Sequence, residues 1–452
     1  MADTGDRRIA GEIARAGIDR VAPATLIASA VQLQGTMLSI ASGSGTTRVD
    51  LGEVDRVLVL GAGKASAAMA ARLELILGER IHGGCVVTKY GHAVPLSRIE
   101  LREAGHPVPD EAGVAAAARI GELADQADER TLVLVLVSGG GSALLASPLV
   151  TEGHALSLED LAASTRLLLG AGAPIAEVNC VRRHLSGLGG GRLAQRLLPA
   201  RSVALVLSDV IGDHLEDIAS GLVAPDPTTY ADAQAVCHRY GITEQLPARV
   251  AAVLAAGAAG RLADTPTAED PAFARMNAHI VGTNRVALDA AAQRAREHGL
   301  QTLVLSSQIS GEAREIAQVY AALAREIARD TGPVARPACV LAGGETTVTL
   351  RGAGTGGRNQ EMALAVLREM KLQPHAYTGV VFLSMGTDGT DGPTDAAGGM
   401  ADVTACAAVE LSEVERALAD NNAYPLLDAA GALIRTGPTM TNVCDLQVLL
   451  VR

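Results

Sequence analysis

Aromatic side chains are scarce in this sequence of 452 residues, which contains no tryptophan, two phenylalanines and six tyrosines. Proteins that bind single-stranded nucleic acid usually stack the bases on such rings. The formal net charge of -12 argues in the same direction, because phosphate backbones select basic surfaces. We therefore expect no nucleic-acid partner, and we expect cores built from valine, leucine, isoleucine and alanine.

Long apolar runs are also missing, although 48% of the residues are hydrophobic. Runs such as Thr131–Val137 and Ser202–Leu207 have the length of strands and fall well short of the roughly 20 residues that a membrane-spanning helix needs. The N-terminal stretch MADTGDRRIAGEIARAG is charged and lacks the apolar block of a signal peptide. The sequence thus predicts a cytoplasmic protein with no membrane partner.

The spacing of the cysteines argues against a metal centre or a disulfide scaffold. No C-x-x-C pair occurs, and no group of cysteines and histidines has zinc spacing. We expect reduced, mostly buried thiols at Cys85, Cys180, Cys237, Cys339, Cys406 and Cys444.

What the sequence does contain is an alternation of short apolar runs and alanine-rich helical stretches, which is typical of α/β folds. Most of the runs show no polar alternation, a pattern typical of strands covered on both faces in parallel sheets. The predicted strands are Arg56–Leu60, Gly84–Lys89, Thr131–Val137, Val203–Ser208, Ala278–Gly282, Thr302–Ser306, Ala338–Leu341, Gly379–Ser384 and Leu446–Val451. The predicted helices between them are Ala65–Leu77, Ala112–Gln126, Leu158–Leu169, Arg285–His298, Glu312–Asp330 and Gln360–Leu367.

A loosening of the pattern within Ala231–Pro271 marks the candidate domain boundary, because proline, aspartate and threonine cluster there before a second βαβ-like series begins at Ala278. We predict two α/β domains, residues 1–244 and 245–452. The first is expected to be Rossmann-like, with a mostly parallel sheet between helix layers. The second is expected to be smaller, with a mixed sheet, and a cleft is expected between the two.

Five glycine-rich segments are candidate anion-binding turns, four of them after a predicted strand. Glycine lets a ligand approach the backbone, and a helix that starts after the turn directs free N–H groups at an anion. In open α/β sheets such turns gather at the carboxyl ends of the strands. The predicted substrate- and phosphate-binding residues in these segments are Gly61, Gly63 and Ser66; Ser138, Gly139, Gly140, Gly141 and Ser142; Glu345; Gly357 and Asn359; and Thr387 and Asp388.

The first segment, GAGKAS, nearly fits the dinucleotide fingerprint G-x-G-x-x-G. That fingerprint also needs an acidic residue at the end of the next strand, to bind the ribose. Here the strand ends in Thr88-Lys89-Tyr90-Gly91, without a carboxylate. Nicotinamide binding is therefore disfavoured, and neither a P-loop nor a nucleophile elbow occurs elsewhere.

Five charged residues are candidates for chemistry. Lys64 stands at a helix start, where a cation is normally disfavoured, so a phosphate clamp would explain it. Arg358 stands at a similar start, and its guanidinium suits carboxylate or phosphate, although a salt bridge is the alternative. Asp209 and Asp388 follow strands, as magnesium ligands often do, with helix capping or an Asx turn as the alternative. Arg183 belongs to a basic helix that either binds an anion or forms a packing kink.

Together these segments resemble the class II glycerate kinase family, whose members join an N-terminal domain of formerly unknown function to a C-terminal MOFRL domain. The resemblance covers nearly the whole chain in order. It rests on GAGKAS at Gly61, GHPVPD at Gly105, SGGGSALL at Ser138, NCVRRHLSGLGGGRLA at Asn179, LSDVIGDHLEDIASG at Leu207, PDPTTYADA at Pro225, GGETTV at Gly343, GRNQEMALA at Gly357 and GTDGTDGPTDAAGG at Gly386.

The resemblance implies ATP-dependent phosphorylation of D-glycerate, most often at the 2-hydroxyl, with a divalent metal and a site in the interdomain cleft. Lys64 and Arg358 match the family's catalytic lysine and arginine. We expect Lys64, Arg358 and Asp209 to be catalytic, Asp209 and Asp388 to hold Mg²⁺, and ATP and D-glycerate to be the small-molecule partners. An NAD(P)H-dependent hydroxypyruvate reductase is the alternative function, and a homodimer stays open as the assembly.

Overall fold

The computed structural model describes residues 4–452. Its helices are α1 (Thr4–Arg20), α2 (Pro23–Ala30), α3 (Ser66–Leu77), α4 (Glu111–Asp125), α5 (Gly141–Leu144), α6 (Leu158–Gly170), α7 (Ile175–His184), α8 (Arg192–Arg196), α9 (Tyr230–Arg239), α10 (Ala248–Ala258), α11 (Pro271–Arg275), α12 (Asn284–Glu297), α13 (Ala313–Ala328), α14 (Arg358–Leu372), α15 (Val403–Ala407), α16 (Leu411–Ala419) and α17 (Ala423–Ala429).

The strands are β1 (Val31–Gln34), β2 (Met37–Ser42), β3 (Gly45–Asp50), β4 (Arg56–Ala62), β5 (Gly83–Lys89), β6 (Glu100–Ala104), β7 (Thr131–Val137), β8 (Val150–Thr151), β9 (His154–Ala155), β10 (Arg201–Leu207), β11 (Met276–Gly282), β12 (Gln301–Glu312), β13 (Ala338–Thr347), β14 (Val380–Gly386), β15 (Gly398–Asp402), β16 (Leu433–Ile434) and β17 (Asp445–Val451). Each predicted strand and helix overlaps one of these elements.

The chain forms two compact units, one of residues 26–281 and one of residues 4–25 together with 282–452. These units differ from the predicted halves 1–244 and 245–452 in two places. Residues 245–281 stay with the first unit, because α10 packs on α9 and β11 adds to the sheet beside β10. The segment 4–25 joins the second unit, because Ile13 and Ala14 of α1 pack against Leu288 and Ala291 of α12.

The first unit is built on a six-stranded sheet of order β11-β10-β7-β4-β5-β6. The pairs β10–β7, β7–β4, β4–β5 and β5–β6 are parallel. Every residue of the central strand β7 is buried, so both faces of the sheet are covered. This arrangement confirms the predicted mostly parallel sheet, and it gathers the carboxyl ends of β4, β7 and β10 at one edge.

The second unit is built on a six-stranded sheet of order β12-β13-β17-β14-β15-β16, in which β12–β13 is parallel and the other pairs are antiparallel. Alternate residues of its strands face opposite layers. Val340 and Phe382 pack with α13 and α14, while Leu341 and Leu383 pack with α1 and α12. The predicted mixed sheet is confirmed, and its continuous apolar strands reflect burial on both faces.

One predicted turn is wrong. The strand predicted to end at Leu341 continues through Thr347, so Gly343, Gly344 and Glu345 lie inside β13. The two glycines serve close packing there. A Cβ on Gly343 would lie 2.0 Å from the Asn284 side chain, and one on Gly344, with φ of +142°, would lie 2.1 Å from the Ile309 carbonyl.

The predicted burial of the thiols is confirmed, since all except the half-buried Cys406 are buried. Within residues 4–452, no helix combines the length and the apolar character needed to cross a membrane.

Candidate active site

The first glycine turn, between β4 and α3, is stabilised by its own close packing and hydrogen bonds. Gly63 has φ of +138°, and a Cβ there would lie 2.1 Å from the Ser138 Oγ, so only glycine fits. The buried Ser66 hydroxyl donates to the carbonyls of Gly63 and Val87, at 2.8 and 2.6 Å. Gly61 lies in β4, where a Cβ would meet the Leu136 carbonyl at 2.4 Å. These three predicted ligand-binding residues therefore shape the turn.

The second turn, between β7 and α5, is tied directly to the first. The Ala65 N–H donates to the Ser138 Oγ at 3.0 Å, and the Lys64 N–H donates to the Gly139 carbonyl at 2.9 Å. Gly140 precedes α5 as its N-cap residue and adopts the left-handed conformation, with φ of +81°. Because these bonds fix the backbone at Lys64, the direction in which its side chain leaves the turn is also fixed.

Charged side chains converge on the second turn. A Cβ built on Gly139 would lie 1.8 Å from the Asp209 Oδ2, and one on Gly140 would lie 2.9 Å from the His106 Nε2 and 3.4 Å from the Lys64 Cγ. A carboxylate, an imidazole and a lysine stem thus surround two residues that lack side chains. The absence of side chains at Gly139 and Gly140 therefore lets these three groups lie directly against the backbone of the turn.

Two hydroxyls complete this edge of the sheet. The Oγ atoms of Ser142 and Ser220 lie 2.7 Å apart, and a Cβ on Gly141 would lie 2.7 Å from the Cβ of Ala219. Ser220 and His106 were missed as site residues, although both lie in stretches that carry the family resemblance, LEDIASG and GHPVPD. Their polar side chains within those stretches were the available signal.

Arg183, a predicted binding residue, lies inside the first unit. Its side chain is 4% exposed and pairs with Asp217 and Asp226, at 3.3 and 3.1 Å. The guanidinium also donates to the Glu216 carbonyl at 3.1 Å. This arrangement supports the packing alternative for Arg183 over ligand binding.

Arg358 in the second unit takes part in a dense ion-pair cluster. Its Nε and Nη2 donate to the two carboxylate oxygens of Asp445, at 2.6 and 2.9 Å, and its Nη1 lies 3.0 Å from the Glu345 Oε1. Asp445 is fully buried, and burial raises the pKa of its carboxyl above the ordinary value although Arg358 opposes the shift. The pKa of Arg358 is raised, because hydrogen bonding to and attraction by Asp445 outweigh burial.

The start of α14 is capped by a second buried carboxylate. Asp391 accepts the N–H groups of Asn359 and Gln360, at 3.1 and 2.8 Å, and a Cβ on Gly357 would lie 2.3 Å from its Cγ. Burial raises the pKa of Asp391 to about 6, against the lowering effect of these backbone hydrogen bonds. The Asn359 amide also donates to Asp445 at 3.0 Å, so both acids orient the helix start.

The turn after β14 is likewise fixed by internal bonds. The buried Thr387 hydroxyl donates to the Cys444 carbonyl at 2.6 Å and accepts the Val443 N–H at 2.9 Å. The Asp388 Oδ1 accepts the N–H and the hydroxyl of Thr390, both at 3.0 Å. The Asx-turn alternative for Asp388 is therefore observed.

Comparisons with known proteins identify the family. The model of the family described as "Domain of unknown function (DUF4147)" matches residues 9–255, and the MOFRL family model matches residues 338–445. The D-glycerate 2-kinase of Thermotoga maritima is 41% identical over 88% of this chain and 91% of its own length. The chain belongs to the class II glycerate kinase family.

Two further comparisons found similar proteins. A solved structure of a glycerate kinase from Thermotoga maritima superimposes with a TM-score of 0.83 at 38% identity, covering 98% of this chain and 99% of that one. A protein of Agrobacterium vitis that carries the provisional name hydroxypyruvate reductase is 43% identical over 88% of this chain and 87% of its own length.

The family's motifs thus divide between two sets of residues in this glycerate kinase family member. The set in the first unit consists of Lys64, His106, Gly139, Gly140, Ser142, Asp209 and Ser220. The set in the second unit consists of Glu345, Arg358, Asn359, Asp388, Asp391 and Asp445. Within the described part of the chain, no cluster of three or more histidine, cysteine or acidic side chains is arranged to hold a metal ion by itself.

Proposed function

We propose that this protein is an ATP-dependent kinase that phosphorylates D-glycerate at the 2-hydroxyl to give 2-phosphoglycerate and ADP. The observation that carries the proposal is the approach of Lys64, His106 and Asp209 to Gly139 and Gly140, which brings a cation, an imidazole and a carboxylate together at the turn after β7. Its relatives named D-glycerate 2-kinase and glycerate kinase support the choice of substrate.

In the proposed reaction, the 2-hydroxyl oxygen attacks the γ-phosphorus of ATP. The new O–P bond forms as the bond from that phosphorus to the β,γ-bridging oxygen breaks, and the hydroxyl proton is released. Such a transfer depends on positioning and charge neutralisation more than on covalent chemistry. Lys64 is assigned to the transferring phosphoryl group, and the Asp209 carboxylate orients the substrate hydroxyl.

Arg358 and Ser142 are the candidates for binding the glycerate carboxylate. Arg358 already binds Asp445 through one edge and Glu345 through the other, and its side chain is 32% exposed. Because the Glu345 contact is half-exposed and involves a single nitrogen, we propose that the substrate carboxylate competes for that edge. Ser142 offers a hydroxyl beside the first-unit turn.

Two carboxylates of this proposal, Asp209 and Asp388, are suited to bind Mg²⁺. Mg²⁺ in kinases is commonly held by one or two carboxylates together with substrate phosphates. Asp209 lies beside the turn after β7, and Asp388 lies in the turn after β14, so each places a carboxylate at a turn where phosphate is proposed to bind. When bound, the ion would neutralise charge on the phosphates, and these two residues are its proposed ligands.

One coupled assay tests the proposal. ADP formation should depend on D-glycerate, and ³¹P spectra of the product should match 2-phosphoglycerate rather than 3-phosphoglycerate. A parallel reaction with hydroxypyruvate and NADH or NADPH should show no loss of absorbance at the wavelength of the reduced nicotinamide. Nicotinamide oxidation without phosphoryl transfer would establish the reductase instead. The proposed setting is cytoplasmic, and size-exclusion chromatography decides between monomer and homodimer.

A further inference from the structure

The first unit contains a cavity of about 340 Å³ whose role the residues above leave unassigned. Its walls come mainly from α6, α7, the segment after His106 and the start of α5. Most of the lining is apolar, including Pro107, Val108, Leu145, Leu161, Leu168 and Leu185. Apolar cavities of this size with a few placed polar groups are typical ligand sites.

One charged side chain of this lining, Arg182, has no partner. Its guanidinium makes no hydrogen bond or ion pair with any residue from 4 to 452, and burial lowers its pKa. Its neighbour Arg183 is bound by Asp217 and Asp226. Successive residues of a helix point about 100° apart, so α7 directs one arginine into the protein and the other into the cavity.

An unpaired, largely desolvated cation destabilises a fold, because nothing compensates the lost hydration. Arg182 therefore provides the charge that an anionic ligand would neutralise. Arginine is well suited to this task, since its planar fork binds phosphate or carboxylate through two parallel bonds.

The cavity also reaches the candidate active site. Ser142 and Ser220 line it, and Ser142 follows directly on the turn where Gly140 approaches Lys64. A ligand that fills the cavity would thus have an apolar part among the leucines, an anionic part at Arg182, and an end near Lys64. D-Glycerate is small and polar throughout, and it lacks the apolar part.

We propose that this cavity binds the nucleotide of the phosphoryl donor, with the base among the leucines and a phosphate on Arg182. This inference rests on the proposed kinase function. It adds the location of the nucleotide and a binding residue, Arg182, beyond those that the sequence analysis selected.

The variant Arg182→Met tests the proposal. It should raise the KM for ATP by about 10- to 100-fold, as expected for loss of a hydrogen-bonded charge, and leave the KM for D-glycerate near its wild-type value. Calorimetric titration with ADP should show a similar loss of affinity without any need for turnover. The melting temperature of the ligand-free variant should equal or exceed that of wild type, because an unpaired charge is removed. An arginine with a purely structural role would give a lower melting temperature.

Two further variants complete the experiment. Arg239→Met is the matched control, because that side chain is 61% exposed and pairs with Glu177 away from the cavity lining. Ala162→Phe narrows the apolar part without removing Arg182, and it should also weaken ADP binding. If Arg182→Met fails to fold, Ala162→Phe decides the question.

Unchanged ADP affinity in Arg182→Met or Ala162→Phe would overturn the inference while leaving the kinase proposal intact. A loss of affinity for D-glycerate with unchanged ADP binding would also overturn it, by assigning the cavity to the acid. If wild type binds ADP through Arg182 but transfers no phosphoryl group to glycerate, the cavity assignment stands and the proposed function fails.

Discussion

The ion pair between Arg358 and Asp445 allows a quantitative prediction from two substitutions, Arg358→Met and Asp445→Asn. The partners differ in environment, since Asp445 is 0% exposed and the Arg358 side chain is 32% exposed. Removing arginine leaves a carboxylate without its cation in the interior. Removing the carboxylate leaves an arginine that still contacts Glu345 and solvent.

The magnitudes follow from this asymmetry. Deleting one partner of a buried pair costs about 3 to 5 kcal/mol, largely because the other charge is stranded. We expect about 3 kcal/mol for Arg358→Met, because Asn359 still donates to Asp445. Asp445→Asn should cost roughly 1 kcal/mol, within the range for a net hydrogen bond. The double variant should resemble Asp445→Asn, which corresponds to a coupling of about 3 kcal/mol in magnitude.

The dependence on pH has a definite sign. The pKa of Asp445 in the fold lies above its ordinary value. Its contribution to stability is therefore complete below the unfolded pKa of about 4, and is lost as pH rises through the folded value. Without Arg358 the folded pKa rises further. The stability deficit of Arg358→Met relative to wild type should thus widen from acidic to neutral pH.

The measurement is urea unfolding followed by circular dichroism, because the chain has no tryptophan to report by fluorescence. All four proteins of the cycle are compared at a mildly acidic and a neutral pH. Additive effects, with a coupling below about 0.5 kcal/mol, would refute the claim that the two residues act as a pair. A deficit that shrinks on raising the pH would refute the charge argument.

Three other variants test the remaining features. Lys64→Ala should fold with a near-wild-type melting temperature. It should lose about 100- to 1,000-fold in kcat, as expected when a group that stabilises charge in the transition state is removed. Wild-type turnover would exclude a role of Lys64 at the transferring phosphoryl group. Gly139→Ala should lower kcat on the order of 100-fold, because the added Cβ would lie 1.8 Å from the Asp209 Oδ2 and displace that carboxylate. Full activity of this variant would show that the position of Asp209 is unimportant. For Asp391, whose pKa is raised to about 6, wild type should lose up to about 3 kcal/mol more stability between about pH 4 and 6 than Asp391→Asn loses over the same interval. Equal urea midpoints of these two proteins throughout that interval would contradict the shift.

The sequence was sufficient to locate the strands, because burial on both faces leaves uninterrupted apolar runs. It was not sufficient to establish their direction. The strands Val380–Gly386 and Asp445–Val451 are as completely buried as Thr131–Val137, yet the first two are antiparallel to each other. Burial selects the residue types, whereas the connections between strands decide the direction. The short sheet of β1, β2 and β3 escaped prediction because its strands are partly exposed and polar.

The parts of the candidate site where glycine marks a turn could be predicted from the sequence. The parts that depend on which ion pair a charged side chain forms could not. Gly63 and Gly140 have positive φ values and lie where the sequence placed turns. Asp445 gave no such sign, since it begins a strand without a glycine beside it. For Arg182 and Arg183, adjacent in sequence, only the phase of α7 decides which one faces the cavity. The sequence pattern does not reveal which of these two neighbouring side chains points towards the cavity.

The grouping of α1 with residues 282–452 has a consequence for biosynthesis. Its apolar face, formed by Ile9, Ala10, Ile13 and Ala14, packs against α12 and the second sheet. On the ribosome α1 emerges before residues 26–281, and at about 5 to 20 residues per second its partner follows roughly 10 to 50 s later. During that interval the first unit can fold while the apolar face of α1 still lacks the helix and sheet that cover it.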